Sequence, residues 1–394
     1  MPDKKCVLVL IESSRSYNRG CLAGIASYVR AHPFWRVMHL ERSLGKGMRS
    51  PLKRWQADGV IARVETLQMA RSVNRLKLPT VHMRSMQCAL HGGLLETDHE
   101  ACARLAAEHF IRNRHRHFAF CGYPGVSFSD QRCTSFIEHV GIHGYSVAVF
   151  DAAGDDSEVD DVIARESRGE LPDRRLVAWL KSLPKPLALF ACNDIRGREA
   201  LAACTQAGFR VPEDVSVLGV DNDEVICDLS TPPLSSIQTD TKRIGYEGAA
   251  ILGRMMAGEP APKDTILIPP KGVHVRQSTD TFALTDQNIV AALSYIWECA
   301  CDGITVQDVA NHVALSRATL DRRFRSFLGH SPKKEIDRIR VNRAKQLLVE
   351  TEYKISAVAT MTGYEMAPQF VTAFRRLTGM TPGEYRLSTA REKS

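Results

Sequence analysis

Two dipeptides have residue types and placement suited to chemistry, Asn193-Asp194 and Asp221-Asn222. Each follows a short apolar run, 187–191 in the first case and 215–220 in the second. Runs of that length and composition read as buried strands. The polar pairs therefore stand at strand carboxyl ends, the edge of a parallel sheet that faces a ligand crevice. Amide and carboxylate groups placed there can donate to and accept from adjacent hydroxyls, which is what holding a sugar requires. Asp194 and Asp221 could also serve as the carboxylate pair of a glycosidase. A different chemistry is written near the other end of the chain. Between Ser316 and Lys345 there are ten basic residues and three acidic ones, a density that suits a phosphate-contacting surface. His115 and His117 in NRHRH have a metal-like spacing. Lacking further ligands nearby, they read as surface residues of a strand, and no metal or cofactor is expected.

These groups need elements to position them. Up to about residue 275, short apolar runs alternate with longer amphipathic stretches such as 20–31, 100–112 and 197–207. That alternation implies βαβ units, parallel doubly wound sheets and helices on both faces. More than ten such elements point to two similar α/β lobes rather than one sheet. After Arg276 the pattern changes, and residues 277–286, QSTDTFALTD, read as a polar linker between a core at 1–276 and an all-α region at 287–394. The α region repeats weakly. Val306, Val309 and Ala310 align with Ile355, Val358 and Ala359, and Leu320 and Phe324 with Phe370 and Phe374.

Each repeat predicts a helix-turn-helix. In the first, Thr305 caps a short helix, Ala314-Leu315 turns the chain, and Ser316 caps a second helix with Leu320, Phe324 and Phe327 facing inward. Its outer face carries Arg317, Thr319, Arg322, Arg323 and Arg325. The second unit runs through 356–362, a turn at Gly363-Tyr364 and a helix over 367–377, where Pro368 is tolerated in the first turn. The second helix of such a unit enters the major groove, where arginine can fork onto guanine or a phosphate.

Bulk properties fit this reading. A chain of 394 residues exceeds a single core. Its eleven cysteines are scattered without a CxxC pair, as expected of reduced thiols in the cytoplasm. The apolar run at 6–11 is too short for a secretion signal and no small-residue cleavage site follows, so it reads as the first strand. No segment approaches the roughly 20 apolar residues that span a membrane. The GxSxG, phosphate-loop, dinucleotide and HExxH signatures of common enzymes are absent. A transport receptor, the other rival to a regulator, is disfavoured by the basic helical end and the missing signal.

Residues 284–386 resemble the AraC/XylS-type DNA-binding domain, on the strength of SRATLDRRFRSFLGHSP at 316–332 and GMTPGEYR at 379–386. The resemblance implies base-edge contacts from Ala318, Asp321 and Arg322, and from Ala367, Gln369 and Thr372 in the second unit. Arg375 joins the DNA-facing set. Alanine at 318 and 367, where larger side chains often reach the bases, puts most of the specificity on Arg322. Residues 5–276 resemble the ligand core of lactose/galactose repressors and periplasmic sugar-binding proteins, best at 190–194, 209–222 and 232–240. There the resemblance assigns the ligand to Asp98, Arg132, Asn193, Asp194, Asp221 and the loop Ser13–Tyr17 with Arg15. Asp98 has a competing role as a helix cap, and Arg132 as a structural ion pair. A sugar core followed by an AraC/XylS domain, rather than preceded by a DNA-binding domain, is the plan of the xylose-operon regulators. That plan implies D-xylose as leading ligand, with other sugars open, and a homodimer on paired half-sites of double-stranded DNA. It also implies RNA polymerase as a partner and activation rather than repression.

Overall fold

The computed structural model describes residues 4–40, 56–64, 67–84, 91–150, 174–280 and 286–393. The chain divides into two compact units, Met1–Ala283 and Leu284–Ser394.

Among the described residues the first unit contains two six-stranded sheets. The first comprises β1 (Lys5–Leu10), β2 (Trp35–His39), β3 (Gly59–Ala62), β4 (Thr80–His82), β5 (Gly93–Thr97) and β11 (Ile266–Ile268), in the order β11-β5-β4-β3-β1-β2. All of its pairings are parallel. The second comprises β6 (His117–Cys121), β7 (Val147–Val149), β8 (Leu187–Ala191), β9 (Val215–Val220), β10 (Ser235–Gln238) and β12 (Gly272–His274), ordered β12-β10-β9-β8-β6-β7. Only β12 runs antiparallel. β3, β8 and β9 are buried at every position, which is why they read as unbroken apolar runs rather than alternating ones. The two-lobed, doubly wound α/β architecture expected from the sequence is the one observed.

The helices of this unit are α1 (Ser16–Ala31), α2 (Leu67–Asn74), α3 (His99–Arg112), α4 (Ser127–Ile142), α5 (Arg174–Ser182), α6 (Asp194–Ala207), α7 (Glu224–Leu229) and α8 (Thr241–Met256). The chain passes between lobes three times: from β5 into α3, from β10 into α8, and from β11 into β12. α3 gives Cys102, Ala106 and Phe110 to the core of the second lobe, while α8 gives Ile244, Ala249 and Leu252 to that of the first. α1 and α8 pack at glycine. A Cβ on Gly24 would strike the carbonyl of Lys242, and one on Gly245 the carbonyl of Cys21.

Three readings need correction. α1 starts at Ser16, four residues before the apolar pattern begins, because its polar first turn faces a cleft rather than a core. Residues 277–279, expected to open the linker, form a 3-10 turn with Ser278 and Thr279 fully buried. Their hydroxyls explain it: Ser278 Oγ donates to the Val217 carbonyl at 2.6 Å, and Thr279 Oγ1 lies 2.9 Å from His109 Nε2. A polar segment can thus be core when the sheet offers it partners. Residues 281–285 of the expected linker lie outside the described residues. Finally, His115 is buried edge-on to Phe110, not on the surface, and burial pushes its imidazole down to about 3. The ten described cysteines form no disulfide among the described residues, and most of them are buried.

The second unit is helical throughout its described elements: α9 (Gln287–Cys299), α10 (Val306–His312), α11 (Arg317–Leu328), α12 (Pro332–Glu350), α13 (Ile355–Met361), α14 (Ala367–Thr378) and α15 (Pro382–Lys393). Side-chain caps begin several of them. Thr305 and Asp308 form a reciprocal capping box, Ser316 accepts from the Thr319 N–H, and Ser331 accepts from the Lys334 N–H. Leu320, Phe324, Phe370 and Phe374 are fully buried, as the repeat predicts. The side chain of Phe327 lies outside the described residues. Pro368 sits in the first turn of α14.

Candidate functional site

The cleft of the first unit is built from strand ends of both sheets. Asn193 caps α6 by accepting from the Arg196 N–H at 2.9 Å. This aims the next residue, Asp194, into the protein, where it is 2 % exposed. Its carboxylate accepts from the Asp223 N–H at 2.7 Å and from Ser236 Oγ. The strand opposite must be glycine, since a Cβ on Gly219 would overlap Asp194 Oδ1. Burial, reinforced by the nearby Asp221, holds the Asp194 carboxyl well above the usual range.

Asp221 follows β9 with φ of 109°, and Asn222 with 51°. Two consecutive left-handed residues that are not glycine store backbone strain of the kind found at binding sites. The result is that Asp221 points into the cleft, with its Oδ1 3.9 Å from Arg132 Nη2. Burial raises Asp221 while Arg132 and Arg63 pull against it. Arg132 itself is 2 % exposed, donates to the Cys192 carbonyl, and carries its guanidinium 5.2 Å from the centre of the Phe128 ring.

Five of the seven expected ligand residues line this cleft together: Arg15, Arg132, Asn193, Asp194 and Asp221. Two do not. Asp98 caps α3 by accepting from the Ala101 N–H at 2.9 Å. Asn222 accepts from Arg276 Nη1 at 2.8 Å, which ties the strand end to the segment leaving β12. Others had gone unnoticed. Glu12, Asn18, Arg63, Arg84 and Glu96 line the cleft, as do His99 and Phe128, beside Tyr17 of the expected loop. Several follow the strands of the first sheet directly, as Asp194 and Asp221 follow those of the second. Reading every strand end, and not only those ending in Asn-Asp, would have found Arg63 and Arg84.

Four cleft-lining polar atoms have no hydrogen-bond partner among the described residues: Asn18 Oδ1, His99 Nδ1, Arg132 Nε and Asp221 Oδ1. Buried polar atoms are normally satisfied. Two acceptors (Asn18 Oδ1 and Asp221 Oδ1), one donor (Arg132 Nε) and an imidazole nitrogen that can do either suit a ligand bearing several hydroxyls.

In the second unit the outward face of α11 separates by partner. Arg317, Ala318 and Arg322 are exposed, and among the described residues neither arginine has a hydrogen bond or ion pair. Arg323 is instead drawn to Asp286, the cap of α9, at 3.2 Å. Arg325 pairs with Asp321 at 2.8 Å, so that carboxylate is committed within the helix. Thr319 Oγ1 lies 2.8 Å from the Ser316 hydroxyl, part of the cap. On α14, Gln369, Thr372 and Arg375 are exposed and Ala367 is half-buried, with Thr372 Oγ1 donating to the Pro368 carbonyl. The two turns are equivalent: Ala314 has φ of 51° and Gly363 of 79°. Between the units α12 is stapled by buried Arg340, which donates to the carbonyls of Ala300 and Ile304 and lies over the Tyr364 ring. Two short helices with tight turns, each followed by an exposed polar face, form a double helix-turn-helix.

Residues 107–279 match the periplasmic binding protein-like domain family, and residues 309–388 match a helix-turn-helix domain family. The chain is 29% identical over 390 residues to the xylose operon regulatory protein of Haemophilus influenzae, covering 97% of this chain and 98% of that one. The Escherichia coli K12 xylose operon regulatory protein is 29% identical over 96% of each chain. A solved structure described as the xylose-binding transcription activator xylR aligns over 97% of both chains with a TM-score of 0.73 and 29% identity. The chain is a homologue of the xylose operon regulators. Like these homologues it is a DNA-binding transcription regulator and not an enzyme, with a periplasmic-binding-protein-like core ahead of its helix-turn-helix domain. The glycosidase reading of Asp194 and Asp221 falls with that finding. At 20% identity and a TM-score of 0.53, a cellobiose-bound regulator shares the fold of the core, covering 71% of this chain. Among the described residues no helix of this xylose-regulator homologue is long and apolar enough to cross a membrane.

Proposed function

We propose that this regulator senses a sugar in the cleft between its lobes and activates transcription of sugar-catabolism genes in the cytoplasm. The observation that carries the reading is the set of four polar atoms without partners, from Asn18, His99, Arg132 and Asp221, facing one crevice. D-xylose is the first ligand to test, because it is the sugar named for the homologues. Arg15, Asn193 and Asp194 complete the set of ligand contacts. Arg317, Arg322, Gln369 and Arg375 are the foremost DNA contacts, and Ala318, Ala367 and Thr372 lie on the same helical faces.

The mechanism rests on lobe closure. Sugar stabilises the closed lobes by the difference in its affinity for the two states. The end of the first unit is anchored to the second lobe through buried Ser278 and Thr279, so rotation of that lobe moves the chain leading to the DNA-binding unit. In a homodimer such rotation changes the spacing of two bound half-sites and presents the complex to RNA polymerase. Operator affinity measured with and without saturating sugar, on paired and single half-sites, tests this. A sugar effect confined to paired sites supports it, and equal affinities with and without sugar would overturn it.

A further inference from the structure

Asn18 stands in the first turn of α1, 2 % exposed, on the wall of the cleft. Its Oδ1 has no hydrogen-bond partner among the described residues. The other half of its amide is engaged. Nδ2 donates at 2.6 Å to Oε1 of Glu12, which follows the end of β1. The second carboxylate oxygen, Glu12 Oε2, accepts from the Ser14 N–H at 2.7 Å. Arg19 closes the loop that carries these groups, its Nη1 donating to the carbonyls of Ser13 and Ser14 at 3.0 and 2.6 Å.

These bonds fix a polarity. A primary amide can present either its oxygen or its nitrogen, whereas a carboxylate only accepts. With Glu12 on one side, Asn18 must turn its NH2 toward the carboxylate and its oxygen toward the cleft. The reverse would set oxygen against oxygen. On the other lobe Asp221 Oδ1 is likewise an acceptor without a hydrogen-bond partner among the described residues. Both walls of the cleft therefore call for hydroxyl protons. A buried acceptor that meets a fluorine, an ether or a carbonyl oxygen stays unpaired, and that cost rejects the ligand.

We infer that Asn18 determines specificity by reading a donor hydroxyl of the sugar, and that Glu12 is the positioning residue that sets its polarity. This rests on the sugar-sensor reading and holds for whichever sugar fits. The test starts with calorimetric titration of the full-length protein with D-xylose, D-ribose, L-arabinose, D-glucose and D-galactose. It continues with the tightest binder and its monodeoxyfluoro analogues, whose fluorine cannot donate. Glu12→Gln keeps the shape of the side chain. The new amide oxygen can serve the Ser14 N–H, which leaves its NH2 facing Asn18, so Asn18 reverses and offers the sugar a donor. This variant should lose about tenfold or more in affinity for the parent sugar. The analogue fluorinated at the hydroxyl that Asn18 reads should suffer less, narrowing the parent-to-fluoro ratio at that one position. Adding Asn18→Asp restores an acceptor, since one oxygen of the new carboxylate takes the glutamine NH2 and the other faces the cleft. The double variant should recover both the affinity and the ratio, while Asn18→Asp alone, carboxylate against carboxylate, should not. Thermal unfolding checks each variant for intact folding. Wild-type affinity in Glu12→Gln, a loss that the double variant does not recover, or ratios unchanged at every position overturns the inference and leaves the sugar sensor standing. Binding of none of these sugars overturns both.

Discussion

Asp221 Oδ1 and Arg132 Nη2 face each other at 3.9 Å, near enough to attract but too far for a hydrogen bond. Neither Asp221 Oδ1 nor Arg132 Nε has a hydrogen-bond partner among the described residues. A ligand hydroxyl between the two would satisfy both groups. Asp221→Ala should therefore weaken binding by about 1–3 kcal/mol, measured by calorimetry, with unfolding stability retained. Undiminished affinity would remove Asp221 from the site.

Arg322 and Arg323 are adjacent and should behave differently. Arg322→Ala should cost about 1–3 kcal/mol of operator affinity and relax preference at one base position. Arg323→Ala frees Asp286 and should lower the stability of the second unit while changing sequence preference little. A binding-site selection on both variants separates the effects. Loss of preference in Arg323→Ala instead would contradict the ion pair seen here.

The two turns should respond in opposite directions to the exchange of glycine and alanine. Ala314→Gly relieves a left-handed residue and should be neutral or stabilising by up to about 1 kcal/mol. Gly363→Ala adds a Cβ at 2.8 Å from the Ala300 carbonyl at the same strained φ, and should destabilise by more than about 1–2 kcal/mol. Urea unfolding of the two variants checks the sign of each.

Acid should weaken the second unit through Glu335. Burial alone would raise this carboxyl, but hydrogen bonds from His330 and Arg338 outweigh burial and hold it down to about 2. A depressed carboxyl stabilises the fold above its unfolded value, 4.5, and loses that contribution as pH falls toward 2. Glu335→Gln should lower stability at neutral pH by about 3 kcal/mol at most and flatten the acid limb of the stability curve. An unchanged acid limb would show that the hydrogen bonds contribute nothing net.

Gly245→Ala should loosen the contact between α1 and α8, costing about 1–3 kcal/mol as overpacking does. Because α1 begins with Ser16, Tyr17 and Asn18 at the cleft, ligand affinity should fall as well. Thermal unfolding and calorimetry on the same variant report the two effects.

Local patterns determined a good part of this protein by themselves. Apolar runs located the buried strands such as β1, β8 and β9, because a strand covered on both faces has no other composition available to it. Periodicity, caps and a repeat located both helix-turn-helix units, because those signals act within a few residues. Asp194 and Asp221 were legible because strand ends in a parallel sheet have one destination. Tertiary structure decided the rest. Whether Asp98 faces the ligand or caps α3, and whether Asn222 does or binds Arg276, depends on partners far away in sequence or on local geometry that composition leaves open. Arg63 and Arg84 become one site with Arg132 only when two sheets bring their edges together. Ser278 and Thr279 look like linker until a sheet supplies the carbonyl and imidazole that make their burial favourable. Pairings between distant residues carry no periodic signal along the chain, so the chemistry of the cleft emerges only when the chain is folded.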